Sequence, residues 1–295
     1  MRITLTGATG FLGRAVINAC EQSGYEINAI SRSASVPAFH HVKWFKNEEA
    51  DIEKALIGSD VVVHLATSYG RPGESVAGVI SSNIELPVLL AEKAAIKEIP
   101  ILIGDSFFAK KENSYNYLKF YTETKRSCLK LVQSVANERV PIVQMVFEHI
   151  YGPGDNMLKT IPKLVKEIVC NVEQIKLTDG TQTRDFIHVD DAALAVLTLA
   201  SQCKNFQRNK LHCVEIGAGN SISLKSFLEL AHQLSGSRST LCWGCIPQRI
   251  GEPNSRGADT RVLRKFGWVP RKSLNEGLLD MIKQFKKKHK IEAEY

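Results

Sequence analysis

Through residue 147 the chain alternates short apolar runs with segments whose apolar positions recur at helical spacing. Strands are expected at 2–6, 25–30, 60–66 ("DVVVHLA"), 100–104 and 141–147. Helices are expected at about 11–23, 51–57, 82–96 and 118–136. The strands read as continuous Val, Ile and Leu runs with no apolar/polar alternation, the signature of a parallel sheet covered on both faces. After "YGPGD" (151–155) the pattern loosens. A helix is expected near 158–170, a short strand near 175–178, another helix after "TRDFIHVDD", and "LHCVEIG" (211–217) reads as a strand that rejoins the sheet. The pattern therefore predicts an α/β fold: a doubly wound parallel sheet from 1–151 and 182–217, and a smaller mixed α/β lobe from 152–181 and 218–295, with no internal repeat.

Composition narrows the function classes. At 295 residues and 44% hydrophobic content the chain can bury a sizeable core. The formal net charge of +7 suits anionic ligands, but Lys and Arg are dispersed and no aromatic residues interleave with a basic stripe, so no nucleic-acid partner is expected. The one dense cluster, "KQFKKKHK" (283–290), reads as the solvated end of a terminal helix. There is no run of eighteen apolar residues, and the first strand begins at the second residue. The expectation is a cytoplasmic protein with no membrane partner. Seven cysteines scattered through apolar surroundings fit a reducing compartment. Cys242 and Cys245 have C-x-x-C spacing inside a strand-like segment, but no second pair accompanies them, and no metal site is expected.

Two patterns carry chemistry. In "TLTGATGFLGRAV" Gly7, Gly10 and Gly13, with Thr9, Phe11 and Leu12 among them, lie between a buried strand and an amphipathic helix. There a glycine loop brings backbone against a pyrophosphate at a helix N-terminus. The second strand ends in Ser31 and Arg32, where an acidic residue would bind the adenosine ribose. A hydroxyl and a guanidinium suit a 2′-phosphate instead, so the cofactor is read as NADPH (NADP+).

The second pattern is "SFFAKKENSYNYLKFYTETK" (106–125), in which Tyr115 precedes Lys119 and Tyr121 precedes Lys125 by four positions. Hydride reduction of a carbonyl leaves an alkoxide, which a tyrosine can protonate if a lysine lowers its pKa. Tyr121 starts a segment of helical period, whereas Tyr115 and Tyr117 sit in a polar, irregular stretch. Tyr121 and Lys125 are therefore the expected pair, with Lys125 also on the nicotinamide ribose and Ser106 supporting the carbonyl oxygen.

Together the glycine loop, "HLA" (64–66), Ser106, Tyr121/Lys125, "YGPGD", "RDFIHVDD" and "RIGEP" resemble the extended short-chain dehydrogenase/reductase superfamily, in its nucleotide-sugar epimerase/dehydratase branch. The resemblance covers nearly the whole chain. It implies a Rossmann-type lobe for the cofactor, a second lobe for a nucleoside-diphosphate sugar, and a homodimer. It also implies Leu65 and Ala66 beside the cofactor, Asn83 near the sugar, and Arg184, Arg249 and Glu252 on the nucleotide and diphosphate. Asp185 and Asp190 read as structural, capping the helix near 191, and His149 and His188 as satisfied core histidines. Val146 stands where the branch often has an arginine.

Departures from the branch pattern narrow the reaction. Phe107 and Phe108 follow Ser106 where a dehydratase needs acidic groups, and no cysteine lies near Ser106 as an epimerase–reductase would require. "DSFFAKK" with "EHIYGPGD" is similar to the reductases that act on the 4-keto group of CDP-linked 3,6-dideoxyhexoses in O-antigen assembly. Phe107 and Phe108 would then form an apolar wall for a sugar lacking hydroxyls. A dTDP-sugar 4-reductase, a nucleotide-sugar 4-epimerase and a noncatalytic NADP(H) sensor are the alternatives.

Overall fold

The computed structural model describes residues 1–32, 39–71, 73–110 and 118–293. In chain order the elements begin with β1 (Arg2–Thr6), α1 (Phe11–Gln22), β2 (Glu26–Ser31), β3 (Val42–Lys46), α2 (Glu49–Ala55) and β4 (Val61–His64). Next come α3 (Val76–Ile80), α4 (Leu86–Ile96), β5 (Ile101–Ser106), α5 (Lys119–Ala136), β6 (Ile142–Phe147), β7 (His149–Tyr151) and α6 (Thr160–Val169). Then follow β8 (Gln174–Lys176), β9 (Thr183–Arg184), β10 (Phe186–His188), α7 (Val189–Ser201), β11 (Leu211–Ile216) and β12 (Ile222–Ser223). The chain closes with α8 (Leu224–Ser235), β13 (Thr240–Cys242), α9 (Arg261–Lys265) and α10 (Leu274–Ala293).

Seven strands form one sheet in the order β3-β2-β1-β4-β5-β6-β11, and every pairing in it is parallel. This is the expected doubly wound arrangement, with β11 rejoining the sheet beside β6 from Leu211↔Ile142 to Ile216↔Phe147. β3 is an addition to the expected strands. "VKWFK" lacks an aliphatic run because it forms the sheet edge, where no residue of the strand is fully buried.

Two compact units result. The first comprises 1–147, 192–216 and 260–268, and the second 148–191, 217–259 and 269–295. Residues 182–191 thus cluster with the second unit, and 260–268 return to the first. One apolar cluster of the first unit joins Ile101, Ile103 and Ile142 of the sheet to Leu90, Ala94, Cys128 and Val132 of α4 and α5.

The helix expected at 82–96 begins at Val76, capped by the Ser75 hydroxyl accepting from the Gly78 amide at 3.0 Å. Between α3 and α4 it passes through a π-turn at Ser81–Glu85. Pro87 explains that turn. It has no amide to donate to the carbonyl of Asn83, four residues back, and its ring would crowd that carbonyl.

The second unit has its own core, in which Phe186 stacks on Phe227 at 4.0 Å and Tyr151 meets both edge-on. Asp185 is structural. Its carboxylate accepts the backbone amides of Ala218, Gly219 and Ala258 at 2.7–2.9 Å, fastening two loops to β9–β10. Asp191, in the first turn of α7, accepts the amides of Arg271 and Lys272. His149 is half-buried, edge-on to Phe186. His188 is buried. Its Nδ1 accepts the Asp190 amide at 3.3 Å, while Nε2 has no hydrogen-bond partner among the described residues, so it is a core histidine satisfied on one side only.

β13 pairs in parallel with β8, and Gln174 Nε2 donates to Cys242 Sγ at 2.8 Å, whereas Cys245 lies beyond the strand. Among the described residues no cluster of His, Cys, Asp and Glu is arranged to hold a metal ion, and no helix is long and apolar enough to cross a membrane.

Gly277 of α10 is required by packing. A Cβ there would lie 2.3 Å from the Tyr151 hydroxyl and 2.9 Å from the His188 ring. Gly277→Ala in an open helix position would gain about 1 kcal/mol. Here we expect a loss of about 1–3 kcal/mol, measured as a lower urea midpoint.

Candidate active site

β1 ends at Thr6, and the chain turns through Gly7 at φ +73°, a conformation that disfavours any side chain. A Cβ on Gly7 would sit 2.6 Å from the Ala66 nitrogen and 2.7 Å from the Leu65 carbonyl carbon. One on Gly13 would lie 2.1 Å from the Gly7 oxygen, and one on Gly10 at 3.1 Å from the same atom. The Gly10 amide closes the turn onto the Gly7 carbonyl at 2.9 Å, and α1 begins without a side-chain cap. Thr9 is exposed with its carbonyl accepting from Arg14 at 2.7 Å, while Phe11 and Leu12 are half-buried on the first turn.

This cradle lies at the carboxyl ends of β1 and β4, where the strand order reverses. That is where a dinucleotide's pyrophosphate fits, against bare backbone at a helix start. Leu65 and Ala66 flank it, half-buried. At the end of β2, Ser31 is half-buried and Arg32 exposed, with the Arg32 guanidinium reaching the Ser82 hydroxyl at 3.2 Å.

α5 carries Tyr121 and Lys125 one turn apart, both buried, at 3% and 5% exposure. The Tyr121 hydroxyl is hydrogen-bonded to Ser106, the last residue of β5, and to Thr67 just beyond β4. The structure thus brings Ser106, Tyr121 and Lys125 together. It adds Thr67, which sequence reasoning missed because a loop threonine carries no spacing signal. Tyr69 stacks on the Tyr121 ring at 4.9 Å, and the Arg71 guanidinium lies 5.0 Å from the Tyr69 centroid. Tyr115 and Tyr117 lie outside the described residues.

The electrostatics correct one expectation. Lys125 is not among the leading influences on the phenol. Burial, then Tyr69 and Asp105, push Tyr121 well above the usual tyrosine range, against the opposing hydrogen bonds from Ser106 and Thr67. The Lys125 Nζ turns instead into the sheet and donates to the Gly104 carbonyl at 2.8 Å. The phenol therefore holds its proton at neutral pH. Lys125 is itself lowered by burial, with Asp105 opposing.

Four further residues, Asn83, Phe107, Arg184 and Glu252, occupy places other than those expected. Asn83, in the π-turn, is fully buried. It accepts from the Ser68 amide, donates to the Ser68 carbonyl and to Thr124 Oγ1, and so braces the β4 loop against α5. Phe107 is core, at 3% exposure, and only Phe108, stacked on it at 4.2 Å, reaches the surface in part. In the second unit, the buried Arg184 guanidinium is committed to protein. It donates to Glu252 Oε1 at 2.5 Å, the Pro253 carbonyl at 2.6 Å and its neighbour's carbonyl at 2.8 Å. Arg184 and Glu252 thus bind each other and shape the turn that starts at Arg249, which is exposed.

Comparison with known proteins places this geometry among relatives. Residues 3–217 match the NAD dependent epimerase/dehydratase family. The chain is 33% identical to the CDP-abequose synthase of Salmonella typhimurium (strain LT2), over 96% of this chain and 97% of that protein. Its fold superimposes on MoeE5 in complex with UDP-glucuronic acid and NAD, at TM-score 0.81, 22% identity, and coverage of 98% and 100%. It also superimposes on the UDP-glucose 4-epimerase of Thermotoga maritima with UDP-glucose, at TM-score 0.80, 20% identity and the same coverage.

His64, on β4, is bonded through Nδ1 to the Thr6 hydroxyl at 2.8 Å, and burial followed by the Lys125 charge pushes it down to about 3. The folded protein keeps it neutral, whereas the unfolded chain protonates it near 6.5. Its contribution is thus complete above that pH and lost as pH falls toward the folded value, on the order of a few kcal/mol. Urea unfolding at pH 7 and pH 4.5 should show a smaller acid loss in His64→Asn than in the wild type.

Proposed function

Since the chain belongs to the NAD dependent epimerase/dehydratase family, we propose that it is a nucleotide-sugar 4-ketoreductase using NADPH on a CDP-linked 4-keto-3,6-dideoxyhexose. The observation that carries this reading is a buried phenol, Tyr121, that keeps its proton and is hydrogen-bonded to two hydroxyls, Ser106 and Thr67. A ketone oxygen becoming an alkoxide needs that proton, and the two hydroxyls can bear on the developing charge. A sensor of cofactor would have no use for a poised donor.

NADPH, when bound, supplies the hydride. Gly7, Thr9, Gly10, Phe11, Leu12 and Gly13 would hold its pyrophosphate, Ser31 and Arg32 its 2′-phosphate, and Leu65 and Ala66 its remaining length. Tyr121 protonates the sugar's C4 oxygen and recovers its proton from solvent. Lys125 holds positive charge beneath the phenol and the ribose. Phe108 offers an apolar surface to a ring without hydroxyls, and Arg249 meets the diphosphate. The CDP-abequose synthase relative supports CDP as the nucleotide, and in our reading the setting is O-antigen sugar assembly in the cytoplasm. The same reading makes the protein a homodimer through α5, whose Leu131 and Val135 are 44% and 41% exposed.

NADPH oxidation should run at least about tenfold faster with CDP-4-keto-3,6-dideoxyglucose than with dTDP-4-keto-6-deoxyglucose. Equal rates would remove the CDP assignment, and interconversion of C4 epimers without net NADPH consumption would make the protein a 4-epimerase. Tyr121→Phe should lower kcat by roughly 10²–10⁴ while leaving NADPH affinity in place. Arg32→Ala should raise the KM for NADPH about tenfold and spare NADH, as expected for one lost guanidinium–phosphate contact.

A further inference from the structure

A buried ammonium persists in a fold only with a counter-charge or a full set of acceptors. Lys125, at 5% exposure, donates to the Gly104 carbonyl, a neutral acceptor. Three titratable groups act on it or feel it: His64 on β4, Asp105 on β5 and Cys128 on α5, with Tyr121 a turn earlier on the same helix. His64 is pushed down to about 3, and burial pushes the Cys128 thiol up to about 11. The Tyr121 phenol is raised as described. At neutral pH these three are uncharged, which leaves Asp105 as the one carboxyl group of the set, and it acts to raise Lys125 against the effect of burial.

The placement of Asp105 suits that role. It is 8% exposed, between the Gly104 carbonyl that Lys125 holds and the Ser106 hydroxyl bonded to Tyr121. Its Oδ1 accepts the Ser106 amide at 2.8 Å, and Oδ2 accepts Gln144 Nε2 at 2.6 Å. Gln144 reaches it because the β5–β6 register sets Ile103 against Gln144 and Asp105 against Val146, on one face of the sheet. Farther along that face Glu215 of β11, in register with Val146, is already matched by Lys110 at 2.7 Å. We propose that Asp105 is the buried counter-ion of Lys125 and, through the Ser106 amide, a positioning residue that keeps ammonium and hydroxyl in one register beneath Tyr121. Asp105 touches neither substrate nor cofactor in this account; it acts through its two neighbours.

The inference rests on the reductase reading for its kinetic arm only. In protein labelled with 13Cε-lysine, with the Lys125 signal assigned by Lys125→Arg, the ammonium of the cofactor-free wild type, Asp105→Asn and Gln144→Leu is titrated by NMR. The carboxamide oxygen introduced by Asp105→Asn can still accept the Ser106 amide, and the Gln144 amide can turn its oxygen to the new NH2, so this variant keeps the local hydrogen bonds. Asp105→Asn should titrate Lys125 at a lower pH than the wild type, while Gln144→Leu, which keeps the carboxylate, stays with the wild type. In ketosugar reduction Asp105→Asn should lose about tenfold or more in kcat with KM nearly unchanged, and its alkaline limb should move to lower pH. An unchanged Lys125 midpoint in Asp105→Asn, or an equal shift in Gln144→Leu, overturns the proposal. If the wild type reduces no ketosugar, the reductase reading falls, and the titration still decides the counter-ion.

Discussion

The hydrogen bond from Lys125 to the Gly104 carbonyl ties the long helix α5 to the sheet at the level of Ser106 and Tyr121. It draws an ammonium into the interior, and the neighbouring groups are arranged around that fact. His64 and Cys128 are held neutral beside it, and Asp105 lies one residue along the strand from the bonded carbonyl. With α5 so fixed, Tyr121 stands against Ser106 at the end of β5 and Thr67 beyond β4. Two strand ends and a helix thereby meet at a single phenol.

The loops around this point are braced by the same kind of bond, a buried side chain satisfying backbone groups. Asn83 saturates its amide on Ser68 and Thr124, which holds the β4 loop close to α5. It can do so because Pro87 opens a π-turn in the preceding helix, where a continuous α-helix would rotate the asparagine by part of a turn. The glycine cradle meets the same loop from the other side, Gly7 lying against Leu65 and Ala66 too closely for any side chain. The cofactor cradle and the phenol thus share one loop as a common wall.

The second unit commits its buried charges to construction. Asp185 gathers three backbone amides, and Arg184 with Glu252 closes the turn that begins at Arg249. A guanidinium that makes three hydrogen bonds to protein is a scaffold for its loop, and the exposed arginine at the start of that turn is the one our reading gives to the phosphate.

Periodicity and glycine placement determined the architecture. Runs such as Val61–His64 and Ile142–Phe147 read as strands covered on both faces, and the glycines at 7, 10 and 13 after the first strand read as a turn leading into a helix, as the structure shows. The Tyr121/Lys125 spacing was legible for the same reason, since a helix puts residues four apart on one face. Edge strand β3 and the π-turn escaped notice because a half-exposed strand and a proline-induced register change leave little trace in an apolar pattern. What the tertiary structure alone decided is partnership. Thr67, Asn83 and Asp105 carry no spacing that distinguishes them, and Arg184 reads identically whether it faces a phosphate or Glu252. Burial and distance, which assign a polar group its partner and its charge, arise between segments far apart in the chain, and no local pattern encodes them.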